Sequence, residues 1–379
     1  MILAYCIDSI NGIGGIQHVT LEKANALADL ENYTVWILFA DHSGKQVFPL
    51  SNKVQTIDLG INYYEDDWKS QWHVLKGIFF RRRKHKRALK KALNKIQPDI
   101  VLSVGQSEKN LVPSIRGKWA TVREFHFVRN YRTLHARSFF DRFLAWGGDL
   151  LDCIVLKRYD KIVSLTQEDK EKNWRNWNNV SVIPNPVQLS TVKSSLTPKR
   201  LLAIGRLVYP KNFASLIRAF SIVVKRFPDW SLDIFGEGDE RRELVSLIES
   251  LLLSDSVHLV GNQSNINERL PNYSLFASSS RFEGFSLVLI EAMSGGLPVV
   301  SYACPCGPKD IIRDGIEGFL VPPGDEAMLA ERICQLIEDE NLRRRMGVAA
   351  QERAKEFSLE KVIPMWTSLF EELVKEKKK

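Results

Sequence analysis

Two acids stand out in the segment SRFEGFSLVLIEAMSGGLPVV, Ser280 to Val300, because most of its other residues are apolar or small. Glu283 lies in a glycine-containing stretch, and Glu291 follows about two helical turns later in a helical pattern. Both side chains could therefore reach one extended ligand from the same side. Carboxylates accept hydrogen bonds from sugar hydroxyls and from a ribose. The alternative interpretation is a solvated loop acid and an ordinary helix acid.

The stretch between the two acids predicts an anion site. LFASSS has the pattern of a strand, RFEGF of a loop and LVLIEAMSGG of a helix for which Ser286 is a suitable N-cap. In open α/β sheets, ligands bind where strands end and helices begin. Unpaired backbone N–H groups at the positive end of a helix attract phosphate, and Gly284 would let it approach closely.

Two cations follow an earlier strand of the same half of the chain. In RLLAIGRLVYPKNFASLIRAF the strand ends at Gly205 and Arg206, and Lys211 precedes the next helix. Arginine and lysine at the mouth of a sheet can hold a diphosphate. Taken alone, each could be an ordinary solvated surface charge. Together with an anion site at the same sheet edge, they predict a clamp for a phosphorylated ligand.

The first half of the chain offers weaker signals. NGIGGIQ places Gly12, Gly14 and Gly15 after the first strand and before a helix, as in a loop that binds phosphate or sugar, although the pattern is not G-x-G-x-x-G. A tight turn required only for packing is the alternative. TVREFHF places Glu124 and His126 at a strand end, where His126 is either functional or structural.

The elements that would position these residues form a repeated βαβ pattern, which predicts an α/β fold with two doubly wound parallel-sheet domains. Strands are expected in MILAYCI, TVWILFA, DIVLSV, TVREFHF, KIVSLT, RLLAIG, LDIFGEG, VHLVGN, LFASSS and LPVVSY. The two prolines of VSVIPNPV interrupt the pattern. The predicted domains are residues 1–184 and 185–356, followed by a C-terminal amphipathic helix over 357–379 that packs back on the first domain.

Composition excludes several classes of protein. A chain of 379 residues with 44% hydrophobic and 26% charged residues is typical of a folded protein with two domains. Five scattered cysteines favour neither a disulfide framework nor a zinc site, so no metal or other cofactor is expected. No apolar run reaches the length of a membrane span, and the expected location is the cytoplasm. A net charge of +8 suggests an anionic partner.

A basic helix is predicted in FFRRRKHKRALKKALNKIQPD. Nine arginines and lysines lie between Arg81 and Lys95, on a helix whose other face carries Leu89 and Leu93, with Phe79 and Phe80 at its start. Such a helix could lie on an anionic membrane, here the inner face of the cytoplasmic membrane, or bind a lipid-linked pyrophosphate. The alternative is an outer helix of the first domain with a solvated basic face.

The motifs resemble those of a known family. GGIQ, GRLVYPKN, LDIFGEGDE, EGFSLVLIEAM, SGGLPVVS, CGPKDII and DGIEGFLVPPGD occur in the order typical of family four of the retaining glycosyltransferases, which have the GT-B fold of two Rossmann-like domains facing across a cleft. The resemblance covers nearly all of the second domain, and the CPCGPKDII loop is similar to that of a bacterial branch that builds surface polysaccharides such as lipopolysaccharide, often from UDP-linked hexoses.

The resemblance implies a nucleotide-sugar donor in the second domain and a saccharide or lipid-linked acceptor entering from the first. Arg206 and Lys211 would bind the donor diphosphate, and Glu291 would hold the ribose. Gly15 would close over the diphosphate from the other side, and His126 matches a histidine near the transferred sugar.

The remaining roles implied by the resemblance fall within the EGFSL stretch. Glu283, with the backbone N–H groups of Gly284 and Phe285, would bind the sugar hydroxyls, while the backbone of Ser286 and Leu287 would contact phosphate. The catalytic residues expected are Arg206, Lys211, Glu283 and His126. The donor-binding residues expected are Gly15, Gly205, Gly284, Phe285, Ser286, Leu287 and Glu291.

Retention in such enzymes is generally explained by same-face transfer, in which the leaving diphosphate accepts the proton of the acceptor. The protein then needs no nucleophile and acts by positioning and by neutralising charge. No D-x-D motif occurs, so metal-independent transfer is expected. Two other functions remain open: a nucleotide-sugar epimerase of the same fold, and a basic nucleic-acid-binding protein, although no aromatic residue is interleaved between Arg81 and Lys91.

Overall fold

The computed structural model describes residues 1–12, 14–41, 46–63, 71–115, 117–127, 138–263 and 265–378, with the backbone alone at 71–79, 139, 140 and 142. The chain divides into two compact units. Unit 1 comprises Met1–Ser164, Asn173–Pro186 and Val362–Lys379, and unit 2 comprises Leu165–Lys172 and Val187–Lys361. The C-terminal segment therefore belongs to unit 1, together with the first half of the chain.

Strands and helices alternate along both units. The strands are β1 Ile2–Ile7, β2 Thr34–Phe39, β3 Gln55–Asp58, β4 Ile100–Ser103, β5 Ala120–Glu124, β6 Lys161–Ser164, β7 Val180–Val182, β8 Arg200–Ile204, β9 Ser231–Phe235, β10 Val257–Gly261, β11 Leu275–Ser278, β12 Val299–Tyr302 and β13 Gly318–Val321. The helices are α1 Gly15–Ala28, α2 Gln71–Ile96, α3 Phe139–Leu156, α4 Gln167–Asn173, α5 Phe213–Arg226, α6 Arg241–Ser250, α7 Ile266–Arg269, α8 Leu287–Ser294, α9 Pro308–Ile311, α10 Glu326–Glu338, α11 Glu340–Lys355 and α12 Leu359–Lys378.

Unit 1 contains a seven-stranded parallel sheet in the order β3-β2-β1-β4-β5-β6-β7. The strand order reverses direction between β1 and β4. One apolar core of this unit lies between the sheet and helix α2, which contributes Leu89 and Leu93, and Leu156 at the end of α3 belongs to the same core. Helix α12 buries Trp366 and Phe370.

Unit 2 contains a six-stranded parallel sheet in the order β10-β9-β8-β11-β12-β13. Here the order reverses between β8 and β11. Strands buried on both faces are close to continuously apolar, as in LLAI and VVSY, because helices cover each side of a parallel sheet. Helix α5 buries Phe213, Leu216 and Phe220 against one face of the sheet.

The predicted α/β class and GT-B architecture are confirmed, and most predicted strands lie where the pattern placed them. Three strands were not predicted: β3 is short and polar, β7 lies within the proline-interrupted segment, and β13 is in the GFLVPPGD motif. Strand β5 ends at Glu124, so His126 follows the strand. None of the helices in the described ranges is long and apolar enough to cross a membrane.

Candidate functional site

The predicted donor-binding residues of unit 2 follow the two strands at its reversal point. Gly205 and Arg206 follow β8, and the segment from Ser280 to Ser286 follows β11. Parallel strands β8 and β11 are neighbours, so the loops at their carboxyl ends lie side by side. Such a reversal point opens a crevice, which is where ligands bind in doubly wound sheets. The topology of unit 2 therefore brings together Gly205, Lys211 and Glu283, which are up to 78 positions apart in the sequence.

An ion pair joins two of the predicted catalytic residues. The Nζ atom of Lys211 lies 2.6 Å from Oε1 of Glu283, and the hydroxyl of Ser280 donates to the same oxygen at 2.6 Å. The family resemblance assigns Lys211 and Glu283 to different parts of the ligand, and the sequence does not predict this contact. Both side chains are only partly exposed, at 22% and 11%. The carboxylate is consequently held in one orientation at the mouth of the sheet, and its second oxygen, which has no partner among the described residues, can accept from a ligand hydroxyl.

Gly205 makes this pairing sterically possible. A Cβ atom at this position would lie 3.2 to 3.3 Å from three side-chain carbons of Lys211, so the lysine stem runs directly over the glycine. Arg206, the next residue, is exposed, and none of the described residues pairs with its guanidinium. The site thus presents one oriented cation that is already paired and one that is open to an anionic ligand.

Helix α8 begins beside the ion pair. Ser286 is its N-cap residue, but its side chain accepts no capping hydrogen bond, and its buried hydroxyl has no partner among the described residues. Gly284 is half-buried and Phe285 is buried. Leu287 and Glu291 are one turn apart on the same face of α8, and both are half-buried. Burial raises the pKa of Glu291 to about 7, so this acid is partly protonated at neutral pH when no ligand is bound.

A second loop of the site was not predicted from the sequence. The backbone N–H of Glu283 donates to the carbonyl of Pro305 at 3.3 Å, and a Cβ on Gly307 would lie 3.3 Å from the backbone nitrogen of Ser286. Gly307 has a φ of +117°, which favours glycine. The CPCGPKDII segment contains both Pro305 and Gly307, but its composition alone predicts no role for them. The Pro305–Gly307 turn therefore packs against the loop from Glu283 to Ser286.

The predicted residues of unit 1 also lie at the ends of strands. Gly15 is exposed and is the first residue of α1, directly after the β1 loop. His126 is buried, and its Nε2 lies 3.4 Å from Oε2 of Glu124. The Lys23 ammonium pairs with the same carboxylate oxygen, and it also lies 4.3 Å from the ring centroid of Trp366. His126 is therefore the outermost of four buried side chains in successive contact, in the order Trp366, Lys23, Glu124 and His126.

Charge interactions among Lys23, Glu124 and His126 oppose the effect of burial on their pKa values. Burial alone would raise the pKa of Glu124, but Lys23 and His126 bring it down to about 2. Burial lowers the pKa of His126 and that of Lys23, and Glu124 opposes both shifts. We conclude that Glu124 stays ionised and that His126 is mostly neutral at physiological pH.

Unit 1 contains a further polar cluster at its own reversal point, between β1 and β4. Asp8 follows β1 and accepts hydrogen bonds from the backbone N–H groups of Gln106 and Ser107, each at 2.9 Å. The hydroxyl of Ser107 lies between Asp8 and the buried Glu108, whose Oε1 is 2.6 Å away. Nε2 of the buried His85 in α2 lies 3.7 Å from Glu108. The sequence contained no signal for this cluster, because its members are scattered and belong to no motif.

The pKa of Glu108 predicts a pH effect on stability. Burial, with the nearby Asp8 next in importance, raises this pKa to about 8. The folded protein thus holds one more proton than the unfolded chain between about pH 4.5 and 8. The free energy of unfolding should therefore fall as pH rises through this window, by up to about 1.4 kcal/mol per pH unit. In Glu108→Gln this contribution should vanish. Thermal denaturation of both proteins across the window measures it, and parallel curves would contradict the assignment.

Comparison with known proteins identifies the family. Residues 189–353, which cover nearly all of unit 2, match the family described as "Glycosyl transferases group 1". Unit 2 therefore carries a group 1 glycosyltransferase domain. The matched range contains all of the predicted unit 2 site residues of this glycosyltransferase, and Gly15 and His126 lie outside it.

Individual relatives agree with this assignment. The amylovoran biosynthesis glycosyltransferase AmsD of Erwinia amylovora is 28% identical over 377 residues, which is 97% of this chain and 99% of the relative. The exopolysaccharide phosphotransferase SCO2592 of Streptomyces coelicolor is 38% identical over 221 residues, but the match spans 57% of this chain and 24% of the relative. Because the Streptomyces relative is a much longer protein, its activity is not assigned to this glycosyltransferase.

A solved GT-B structure shares the fold. The S. aureus TarM G117R mutant, in complex with fondaparinux, alpha-GlcNAc-glycerol and UDP, superposes with a TM-score of 0.78 at 16% identity and covers 97% of this chain and 99% of its own. At this identity the likeness concerns the fold alone. The protein therefore has GT-B architecture, with a seven-stranded and a six-stranded parallel sheet.

Proposed function

We propose that this glycosyltransferase transfers a hexose or an N-acetylhexosamine, with retention of the anomeric configuration, from a UDP-sugar to a saccharide or lipid-linked saccharide in the synthesis of a cell-envelope polysaccharide. The observation that carries the proposal is the Lys211–Glu283 pair beside the exposed Arg206 and the N-terminus of α8. Cations, an oriented carboxylate and the backbone N–H groups of a helix N-terminus at one sheet edge suit a nucleotide diphosphate joined to a sugar.

In the proposed reaction, the bond between the anomeric carbon and the diphosphate oxygen breaks, and the acceptor oxygen attacks from the same face. The departing diphosphate takes the acceptor proton. Arg206, Lys211 and the N-terminus of α8 neutralise the charge that develops on the leaving oxygen. Glu283 orients the sugar through its hydroxyls, and His126 contacts the transferred sugar from unit 1. Gly15 would approach the diphosphate with its backbone.

The proposed acceptor side includes a contact with the cytoplasmic membrane. The described part of α2 exposes arginines and lysines along its length, with Arg87, Lys90 and Lys91 among them. Between Arg81 and Lys95 there is no acidic residue. A helix of this kind could attract anionic lipid or the pyrophosphate of a lipid-linked acceptor. We propose a cytoplasmic protein that is bound peripherally at the inner face of the membrane.

The experiment that tests the function is a panel of nucleotide sugars scored by thermal protection, followed by transfer assays with the donor that protects best. Protection by one UDP-sugar and an α-linked product from an α-linked donor are expected. A β-linked product from the same donor would overturn retention. Formation of an epimer of the sugar from the donor alone would favour the epimerase alternative, and protection by nucleic acid instead of any nucleotide sugar would reject the assignment.

The raised pKa of Glu291 predicts that UDP binding depends on pH. If the ribose hydroxyls donate to this carboxylate, they favour its ionised form, so binding releases a proton from a group whose pKa in the free protein is about 7. Affinity for UDP should therefore increase several-fold from about pH 6 to pH 8. Calorimetry with Glu291→Gln separates this effect from the ionisation of UDP itself. Equal pH profiles for the two proteins would remove Glu291 from the ribose site.

Metal independence gives a further expected result. Since Arg206, Lys211 and the α8 N-terminus supply the positive charge in the proposed mechanism, transfer at saturating donor should keep nearly its full rate in excess EDTA. The assay is a steady-state rate with and without chelator, repeated after adding back Mg²⁺ and Mn²⁺. A large fall in rate that added metal reverses would contradict the prediction.

A further inference from the structure

Helix α3 of unit 1 carries its large apolar side chains outward. Six of them have between 54% and 66% of their surface exposed: Phe143, Leu144, Trp146, Leu150, Leu151 and Ile154. Single exposed apolar residues are ordinary on a protein surface, but a contiguous patch of this size marks an interaction site. The patch lies in unit 1, outside the residues that match the family.

The polarity of α3 is the reverse of that of an ordinary surface helix. At 3.6 residues per turn the six exposed side chains fall within an arc of roughly 160°. The opposite side carries the buried Ala145 and Leu156, together with Asp152, whose carboxylate is 2.6 Å from the Nζ of the buried Lys109. A helix exposed only to water places its charges outward and its apolar stripe inward. Here an acid is directed inward and the apolar stripe outward.

The basic helix α2 lies in the same layer as α3. Helix α2 connects β3 to β4 and helix α3 connects β5 to β6, and both connections cross the sheet toward β7. Because such crossovers are right-handed, the two helices lie on the same face of the sheet. Leu89 and Leu93 of α2 and Leu156 of α3 meet in a single core. The segment that follows β4 contacts both helices: Glu108 lies against His85 of α2, and Lys109 pairs with Asp152 of α3. An apolar face and a strongly cationic face are thus neighbours.

We propose that α3 inserts its apolar face into the boundary between headgroups and acyl chains of an anionic bilayer, while the basic face of α2 binds the lipid phosphates beside it. Trp, Phe and Leu on one side of a helix with arginines and lysines nearby is the pattern of a protein that lies in a membrane interface. The charge argues against a second copy of this chain as the occupant, because symmetric pairing would bring the basic helices together. The proposal rests on the membrane contact proposed for α2, and not on the transfer reaction.

The test is binding of the full-length protein to vesicles of phosphatidylcholine alone and of phosphatidylcholine with phosphatidylserine. Trp146→Ser/Leu150→Ser should lower the partition coefficient for the anionic vesicles at least tenfold. The matched control is Val348→Ser, an equally exposed apolar residue on helix α11 of unit 2, which should bind as the wild type does. Exposed side chains contribute little to folding, so all three proteins should melt at the same temperature.

Two further measurements identify what occupies the face. Replacing Arg87, Lys90 and Lys91 by glutamine should lower binding to anionic vesicles roughly tenfold or more and reduce its salt dependence. Brominated lipids should quench the tryptophan fluorescence of the wild type more than that of Trp146→Phe. Unchanged vesicle binding by Trp146→Ser/Leu150→Ser would overturn the proposal, as would a lipid-free dimer that this double substitution dissociates. Normal vesicle binding by a protein that transfers no sugar would reject the proposed reaction and leave this inference intact.

Discussion

Replacing Arg206 or Lys211 by alanine should lower the rate of sugar transfer by two to three orders of magnitude and leave the protein folded. In the proposed mechanism the leaving diphosphate gains charge as the glycosidic bond breaks, and these two cations are already in place to neutralise it. Removal of one preorganised charge contact of this kind costs roughly 3 to 4 kcal/mol of transition-state stabilisation. The loss should fall mainly on kcat, because the additional negative charge on the leaving oxygen develops only as the glycosidic bond breaks.

The two variants should differ in one respect. Lys211 is paired with Glu283 at 2.6 Å, so its removal also releases the carboxylate that orients the sugar. Lys211→Ala should therefore raise KM for the donor more than Arg206→Ala does, because Arg206 makes no ion pair among the described residues. Glu283→Gln, which keeps the shape but weakens the pair, should reproduce the KM effect and only part of the kcat effect.

Matched controls are available in the same unit. Arg345→Ala and Lys225→Ala remove exposed cations from helices α11 and α5, away from the reversal point between β8 and β11. Both should retain near wild-type kinetics and melting temperatures. Near wild-type transfer by Arg206→Ala and Lys211→Ala would show that these cations are not the ones that stabilise the leaving group.

Replacing Lys23 by methionine should destabilise unit 1 by about 3 to 5 kcal/mol, which corresponds to a fall in melting temperature on the order of 10 °C. Lys23 is fully buried, pairs with Glu124 and lies over the ring of Trp366. Methionine fills nearly the same space, so the loss comes from leaving the carboxylate of Glu124 buried without its counter-ion and not from a cavity.

A double substitution separates charge from packing. Lys23→Met/Glu124→Gln removes both charges, so it should recover more than half of the stability lost in the single variant, because a buried pair contributes little beyond its own cost of burial. Thermal melting and urea denaturation, followed by the fluorescence of the intact protein, measure the difference. A double variant no more stable than Lys23→Met would show that Lys23 acts through its contact with Trp366 instead.

The position of the candidate site residues of unit 2 at one sheet edge could be predicted from the sequence, because these residues are grouped in loops between strongly patterned elements. RLLAIG and LFASSS are apolar strands, each followed by glycine and charged residues, and parallel strands align their carboxyl ends. That rule alone places Arg206 and Glu283 at one sheet edge. Motif order then supported the family, which the match over residues 189–353 confirms.

What the sequence could not predict are pairings between charged groups that are distant along the chain. Lys23 and Glu124 are 101 positions apart, and Lys211 and Glu283 are 72 apart. The periodicity of an amphipathic helix predicts that its lysines are exposed to solvent. A lysine is buried only where it has a partner, and only the tertiary fold supplies that partner. The same holds for Glu108, and for the outward apolar face of α3, whose stripe by itself predicts a helix packed inward.

The discontinuous composition of unit 1 constrains how the protein can be made. Its sheet is complete by Val182, yet Val362–Lys379, with the buried Trp366 and Phe370, belongs to the same unit. During synthesis, unit 1 lacks Val362–Lys379 until all of unit 2 has been translated, at roughly 5 to 20 residues per second. Until then, the buried surface around Lys23 that Trp366 covers stays open. A chain cut after Pro186 would be an unfinished domain and not a separable acceptor module.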